Sequence, residues 1–338
     1  MSQMPLVQVH GVDDVRLDRV EVPVCGPDDV VVQVAACGIC GSDLGYISMG
    51  GLTPPGVPMP LGHELSGHVH EVGENVSGLE QGQFVTVNPM GNGQAIGNGG
   101  NAGGFAPYLL VEGVQAAPQA VLAIPEELGV EHAALIEPLS VAMHAVNQSE
   151  IAPGQSVLVM GAGPIGLGLV ICLRHRGVTD IAVTDMSAPR LELAAQLGAS
   201  QVCKVGEQDL ESLLKQHHGS AELMGAELPA TEVYIEATGV GAVLEQCIGL
   251  ARPGTTVVVV GVHKAAFQLD PLVLMMKELH LVGSMAYPDE FSQVIDMLLA
   301  GDVDVSAMIS HRFELARFDE ALAVARDPQQ AAKVMVTP

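Results

Sequence analysis

From about Gln155 onward the chain keeps one rhythm. Short apolar runs, "SVLVM", "DIAVTD", "QVCKV", "EVYIEAT" and "TTVVVVGV", alternate with amphipathic stretches such as "PIGLGLVICLRHR", "APRLELAAQLG" and "DLESLLKQHH". Strands that are apolar on both faces and separated by helices form a parallel sheet covered on each side. That half of the chain reads as doubly wound α/β, with "ELHLVGSM" as the last strand of its sheet.

The first third is built differently. Runs such as "VRLDRVEVP", "DDVVVQVAACGIC", "HELSGHVHEVG", "QFVTVNP" and "FAPYLLVE" are rich in β-branched residues and punctuated by Gly, Pro and Asn, the pattern of an antiparallel barrel or sandwich. The segment "NPMGNGQAIGNGGNAGG" at 88–104 has little to pack and reads as an irregular surface loop. A helical pattern, "HAALIEPLSVAMHAVN", joins the two regimes. After the parallel sheet come a helix near 289–300, a strand at "MISHRF", a short helix from Ala316 and a last strand "KVMVT". These pieces are too few for a third domain, so they return to the barrel. The expected division is 1–147 with 284–338 for the β-rich domain and 148–283 for the α/β domain.

A chain of 338 residues, 48% of them hydrophobic, can fill two cores. No apolar run approaches the roughly 20 residues that span a bilayer, and no basic-then-apolar leader opens the sequence, so a cytoplasmic protein with no membrane partner is expected. The 14 basic residues against 39 acidic ones leave a net charge of −25, which argues against nucleic acid as a partner. The 6 cysteines are too scattered for a disulfide scaffold and point to reduced thiols or metal ligands.

Directly after "SVLVM" stands Gly161-Ala162-Gly163-Pro164-Ile165-Gly166, opening a helix, and Asp185 ends the next strand. In that setting GxGxxG is a dinucleotide fingerprint. Gly161 permits the tight turn, Gly163 lets the main chain approach a pyrophosphate, and Gly166 lets the helix pack against the strand. Unpaired amides at the helix start face the phosphate charge. Asp185 would accept from the adenosine ribose hydroxyls and repel a 2′-phosphate, which favours NAD over NADP. Arg190 either lies against the adenine or is a solvated arginine at a helix start.

In the first half, "ACGICGSDLGY" holds Cys37 and Cys40 with no second cysteine pair downstream. Further along stand "GHELSGHVHEVG", with His63 and Glu64, and "EPLSVAMHA", with Glu137. One thiolate, one imidazole and one carboxylate make the three-ligand set of catalytic zinc, with a fourth position open. Cys37 reads as a buried core thiol. His68, His70, His132, His144 and the histidines of "QHH" read as structural or solvated, although His144 could reach an active-site cleft.

With Gly38-Ile39-Cys40-Gly41-Ser42-Asp43, Gly62-His63-Glu64, Glu137-Pro138-Leu139 and the glycine-rich turn in view, the sequence resembles the zinc-dependent medium-chain alcohol dehydrogenases over essentially its whole length. It looks most like the polyol branch of sorbitol, threonine and 2,3-butanediol dehydrogenases. The resemblance implies a GroES-like catalytic barrel plus a Rossmann NAD-binding domain. It implies Cys40 and His63 as direct zinc ligands, and Glu64 and Glu137 as rival third ligands. Asp43 either orients a ligand imidazole or caps the turn after the cysteine. Two departures matter: relatives often carry four clustered cysteines for a structural zinc, which the 88–104 loop lacks, and often a histidine where this chain has Gly45. One zinc per chain is therefore expected.

The implied reaction passes a hydride from a secondary alcohol, diol or polyol to NAD, zinc lowering the hydroxyl pKa and Ser42 taking up the proton. With no histidine at 45, water, Tyr46 or a distant histidine must finish the relay. Tyr46, Ile47 and Met49 would line the pocket. Pairing of "ELHLVGSM" edges between copies implies a homodimer, or a homotetramer built from dimers. The rival functions are a metal-free quinone or enone reductase of the same superfamily and a nucleotide-binding structural protein without turnover.

Overall fold

The computed structural model describes residues 2–338 and divides into two compact units. One comprises the residues up to Glu137 together with Ile309–Pro338, the other Pro138–Met308.

The first unit is built around a seven-stranded sheet. Its central strand, Val30–Gly38, pairs antiparallel with Glu64–Val72, with Tyr108–Val111 and with the carboxyl-terminal strand Lys333–Thr337. Register shifts between Val31 and Val32 and between Val34 and Ala36 bend this strand, as bulges do where a sheet must curl. Val32, Leu65, Val85, Phe105 and Val334 are among the side chains that fill the interior. The strand Ile309–Glu314 runs parallel to Lys333–Thr337 at the sheet edge, so the last segments return to the barrel.

The 88–104 segment is irregular, as its composition predicts, but it is anchored. Ile96 is fully buried. Asn92 Nδ2 donates to Glu112 O at 2.7 Å, Gln94 Nε2 to Leu110 O at 3.1 Å, and Glu112 N to Gln94 Oε1 at 3.1 Å, stitching the segment along the strand Tyr108–Val111. The expectation of a loop with little to pack missed these amides.

The second unit holds six parallel strands in the spatial order Gln201–Lys204, Asp180–Asp185, Ser156–Met160, Val233–Glu236, Thr256–Val259, His280–Gly283. Counted along the chain this is order 3-2-1-4-5-6, whose reversal beside Ser156–Met160 opens a crevice at the strands' carboxyl ends. Every residue of Ser156–Met160 is buried, as its apolar run requires. A hairpin, Ser220–Leu223 with Ala226–Pro229, has no counterpart in the sequence reading.

Two boundaries differ from the sequence reading. The helical pattern before the α/β region is two helices, Val130–Ala134 and Ile136–Gln148, because the ring of Pro138 cannot follow a continuous helix through Ala134. The segments 138–147 and 284–308, both expected in the β-rich domain, belong to the second unit. The helix Glu290–Ala300 buries Phe291, Val294 and Met297, and the buried Glu290 carboxylate accepts from His144 at 2.7 Å and from Asn147 at 3.1 Å. Those side chains hold it to the helix Ile136–Gln148. Among the described residues no helix is long and apolar enough to cross a membrane.

Candidate functional site

Cys40 stands at the amino-terminal cap of the helix Gly41–Met49, directly beyond the strand Val30–Gly38. Its main-chain N–H donates to Asp43 Oδ2 at 2.9 Å. Opposite, Gly62 takes a φ of 95°, and a Cβ there would stand 2.6 Å from Phe105 N and 3.0 Å from Cys37 Sγ. Only glycine fits this turn. The turn delivers His63, 3% exposed, and then Glu64, the first residue of its strand and fully buried.

Among the described residues, Cys40, His63 and Glu64 form the one group of three metal-binding side chains whose donor atoms lie within 4.8 Å of one another. Two donors bound to one zinc at about 2.0–2.3 Å can be no more than about 4.6 Å apart. The set is therefore near closing distance, and its sulfur, nitrogen and oxygen donors fit zinc. His63 Nδ1 faces Asp43 Oδ1 at 3.5 Å, both atoms buried and without another partner, while Nε2 lies 3.2 Å from Ser42 Oγ. Asp43 thus does both things the sequence left open, one oxygen capping the turn and the other facing the imidazole. Burial opposes charge on His63, but Asp43 and Cys40 beside it lift its pKa well above the usual histidine range. The pocket is one that attracts a cation.

Lys333, in the last strand, is not among the residues the sequence singles out. It is 1% exposed, and its ammonium donates to both Glu64 oxygens at 2.6 and 2.5 Å and to Ile39 O at 3.1 Å. Burial disfavours its charge, yet Glu64 and then Cys40 raise its pKa, with a smaller contribution from Glu137. Gly38 makes room for the pair, since a Cβ on it would lie 2.2 Å from Glu64 Oε2. A lone lysine opening an otherwise apolar strand was the available signal. Glu137, 5% exposed in the first turn of its helix, stands outside the close three-donor group.

Cys37 is buried beneath Gly62 and Gly104, and desolvation holds its thiol pKa well above normal. His68 and His70 pack against Phe84 and Tyr108. His144 is held by Glu290 within the second unit.

In the second unit, Gly161 has a φ of 103° and Pro164 opens the helix Pro164–His175 with Gly163 as its cap. A Cβ on Gly166 would lie 1.9 Å from Gly161 O, so turn and helix touch as the fingerprint demands. Nothing but Arg190 Nη1, at 3.8 Å, approaches the Cβ position of Gly163, which leaves open space there. Ile165 follows in the first helical turn. Asp185 accepts from Ala162 N at 2.6 Å and Ser187 N at 2.7 Å. A carboxylate has about four acceptor sites, so both oxygens keep capacity for ribose hydroxyls. A second feature escaped the sequence reading: fully buried Glu236 accepts from Thr238 N at 2.7 Å, Gly239 N at 3.0 Å and His263 Nε2 at 2.9 Å, tying together the loops after two strands.

Two family models match the chain, the alcohol dehydrogenase GroES-like domain over residues 26–126 and the zinc-binding dehydrogenase over residues 164–300. The sequence is 32% identical to a sorbitol dehydrogenase from Macaca fascicularis over 93% of this chain and 90% of that protein. The chain belongs to the zinc-binding, medium-chain polyol dehydrogenases. Its fold is correspondingly similar to the crystal structure of 2R,3R-butanediol dehydrogenase from Bacillus subtilis, with a TM-score of 0.87, 28% identity and 99% of each chain covered. It is also similar to a zinc-binding dehydrogenase from Sinorhizobium meliloti 1021 bound to NADP, with a TM-score of 0.84, 31% identity and 100% of each chain covered. Membership in this family makes the chain an NAD(P)-dependent oxidoreductase with a GroES-like unit and a Rossmann unit.

Proposed function

We propose that the chain oxidises a secondary alcohol, diol or polyol to a ketone, reversibly, with NAD as hydride acceptor and one zinc ion per chain. The observation that carries this reading is the convergence of half-buried Cys40 with buried His63 and Glu64. Zinc, when bound there, supplies the Lewis acidity that lowers the pKa of an alcohol hydroxyl. Cys40 and His63 hold it, Asp43 keeps His63 Nδ1 turned away so that Nε2 is the donor, and Glu64 is the third ligand in preference to Glu137. Ser42 Oγ, 3.2 Å from His63 Nε2, would accept the proton that the substrate hydroxyl gives up while passing its own to the cofactor's ribose hydroxyl and so toward solvent. Lys333 controls how far the Glu64 carboxylate can leave its ion pair.

NAD, when bound, accepts the hydride at its nicotinamide. Gly161, Gly163, Pro164, Ile165 and Gly166 cradle its pyrophosphate, with Arg190 at the rim. The negative charge of Asp185 favours a free 2′-hydroxyl over a phosphate, in contrast with the NADP-bound relative. The 88–104 segment contains no cysteine, which supports a single metal per chain.

The edge strand His280–Gly283 leaves Leu281 41% exposed, and near it in sequence Leu272, Met275 and Met285 are 55%, 65% and 83% exposed. Two copies pairing these edges antiparallel would satisfy the open backbone groups and cover the apolar side chains. A homodimer, or a tetramer of such dimers, working in the cytoplasm is the assembly we propose.

The test is metal analysis of the purified protein together with NADH production from a panel of secondary alcohols and polyols. About one zinc per chain, with alcohol-dependent NADH that is lost in Cys40→Ser, supports the reading. A metal-free protein that reduces enones and ignores alcohols refutes it.

A further inference from the structure

Ser42 and Tyr46 are four residues apart in the helix Gly41–Met49 and so share a face. Tyr46 is half-buried against the barrel core. Burial raises the pKa of its phenol and keeps it protonated, and His63, Cys40, Asp43 and the Ser42 hydroxyl all act on it electrostatically or by hydrogen bonding. Ser42 Oγ lies 3.2 Å from His63 Nε2, so the helix face that carries Tyr46 is the one turned toward the metal-binding group. Its hydroxyl donates to Asn98 Oδ1 at 3.0 Å.

Asn98 is itself fixed. Its Nδ2 donates to Ile96 O at 3.1 Å, its main-chain N–H to Ala95 O at 2.9 Å, and Ile96 is fully buried. The preceding Gly97 has a φ of 64°, and a Cβ there would lie 2.4 Å from Gly62 O. One turn of the 88–104 segment thus presses on the residue that delivers His63 and holds the phenol on the catalytic helix.

A phenol has one hydrogen to donate and lone pairs to accept with. With its hydrogen committed to Asn98, Tyr46 Oη offers only acceptor sites to anything beside Ser42. A second hydroxyl, adjacent to the one being oxidised, can donate to it. A carboxylate or carbonyl at that place cannot.

We propose that Asn98 is a specificity-determining positioning residue, which turns Tyr46 Oη into an acceptor for the second hydroxyl of a vicinal diol. The proposal rests on the dehydrogenase reading above and adds to it the residue that commits the phenol's hydrogen. One neutral hydrogen bond at a half-buried position makes about a tenfold difference.

The experiment compares kcat/KM for 2,3-butanediol and 2-butanol in the wild-type chain and in Tyr46→Phe, Asn98→Leu and Asn98→Asp, all checked for fold by circular dichroism. The diol to mono-alcohol ratio falls about tenfold in Tyr46→Phe, falls in Asn98→Leu, and is retained in Asn98→Asp, which can still accept from the phenol. A second readout needs no turnover. The chain has no Trp and only 4 Tyr, so the Tyr46 ultraviolet band can be isolated by subtracting the Tyr46→Phe spectrum. Its hydrogen-bonded red shift is lost in Asn98→Leu and kept in Asn98→Asp. A wild-type chain that oxidises neither alcohol refutes the dehydrogenase reading and this proposal with it. One that oxidises both, with a ratio indifferent to Tyr46→Phe and Asn98→Leu, overturns this proposal alone.

Discussion

Replacing Lys333 with Met would remove a charge from the driest part of the barrel unit. The ammonium and the Glu64 carboxylate are 1% and 0% exposed, and all three ammonium hydrogens have acceptors: Glu64 Oε1, Glu64 Oε2 and Ile39 O. In Lys333→Met the carboxylate and the carbonyl lose these donors. Breaking a buried pair from one side costs about 3–5 kcal/mol, because the surviving charge is uncompensated. For a unit of this size that is a fall in melting temperature on the order of 10 °C. Adding Glu64→Gln removes the stranded charge, so the double variant should be more stable than the sum of the single changes by at least about 1–2 kcal/mol. The assay is denaturant unfolding of metal-free protein, tracked by circular dichroism, for the complete double-mutant cycle. A second measurement, zinc competition against a chelator, should move the other way, since a freed Glu64 binds metal more tightly in Lys333→Met. A single variant within about 1 kcal/mol of wild type, or no coupling in the cycle, would refute a persistent Lys333–Glu64 pair.

Three further outcomes are expected. Cys37→Ala should keep its zinc by elemental analysis, whereas Cys40→Ala should lose it, because only Cys40 shares the donor cluster. Gly166→Ala drives a methyl to within 1.9 Å of Gly161 O, so NADH binding, measured by fluorescence, should collapse with a stability loss of about 1–3 kcal/mol. For Glu290, burial pushes the carboxyl pKa up, but the bonds from His144, Asp289 and Asn147 outweigh it and leave the pKa below normal. Its stabilisation is therefore present above the unfolded carboxyl pKa and lost as pH falls through the folded value. Glu290→Gln should flatten that acid limb of the unfolding curve and cost about 1–3 kcal/mol at neutral pH.

Legibility tracked the range of the interaction. The strand-helix rhythm from Gln155, the glycine turn at 161–166 and the pairing of Cys40 with Asp43 depend on near neighbours in sequence, and the structure has them where the sequence puts them. The core role of Cys37 could be read as well, from an alternating β-run that buries it. What escaped was polar and distant. Lys333 and Glu64 are 269 residues apart, and Tyr46 and Asn98 are 52 apart. A lysine in a terminal strand or an asparagine among glycines ordinarily faces water, and nothing beside either residue in the sequence says otherwise. The same applies to the segment 284–308, whose attachment to the second unit rests on Glu290 meeting His144.

By itself the sequence determined the two kinds of architecture, the nucleotide fingerprint and the residue types able to hold a zinc ion. Those come from side-chain periodicity, backbone freedom at glycine and ligand chemistry, all set within a few residues. Only the tertiary structure decided that Lys333 pairs with the carboxylate next to His63, and that Asn98 accepts from the Tyr46 phenol. Buried charges and hydroxyls must be paired wherever the chain's path brings them, and that path is a property of the folded sheet: Lys333–Thr337 enters beside Val30–Gly38 and lays the Lys333 stem and the Glu64 carboxylate over Gly38, where there is no side chain to stop them.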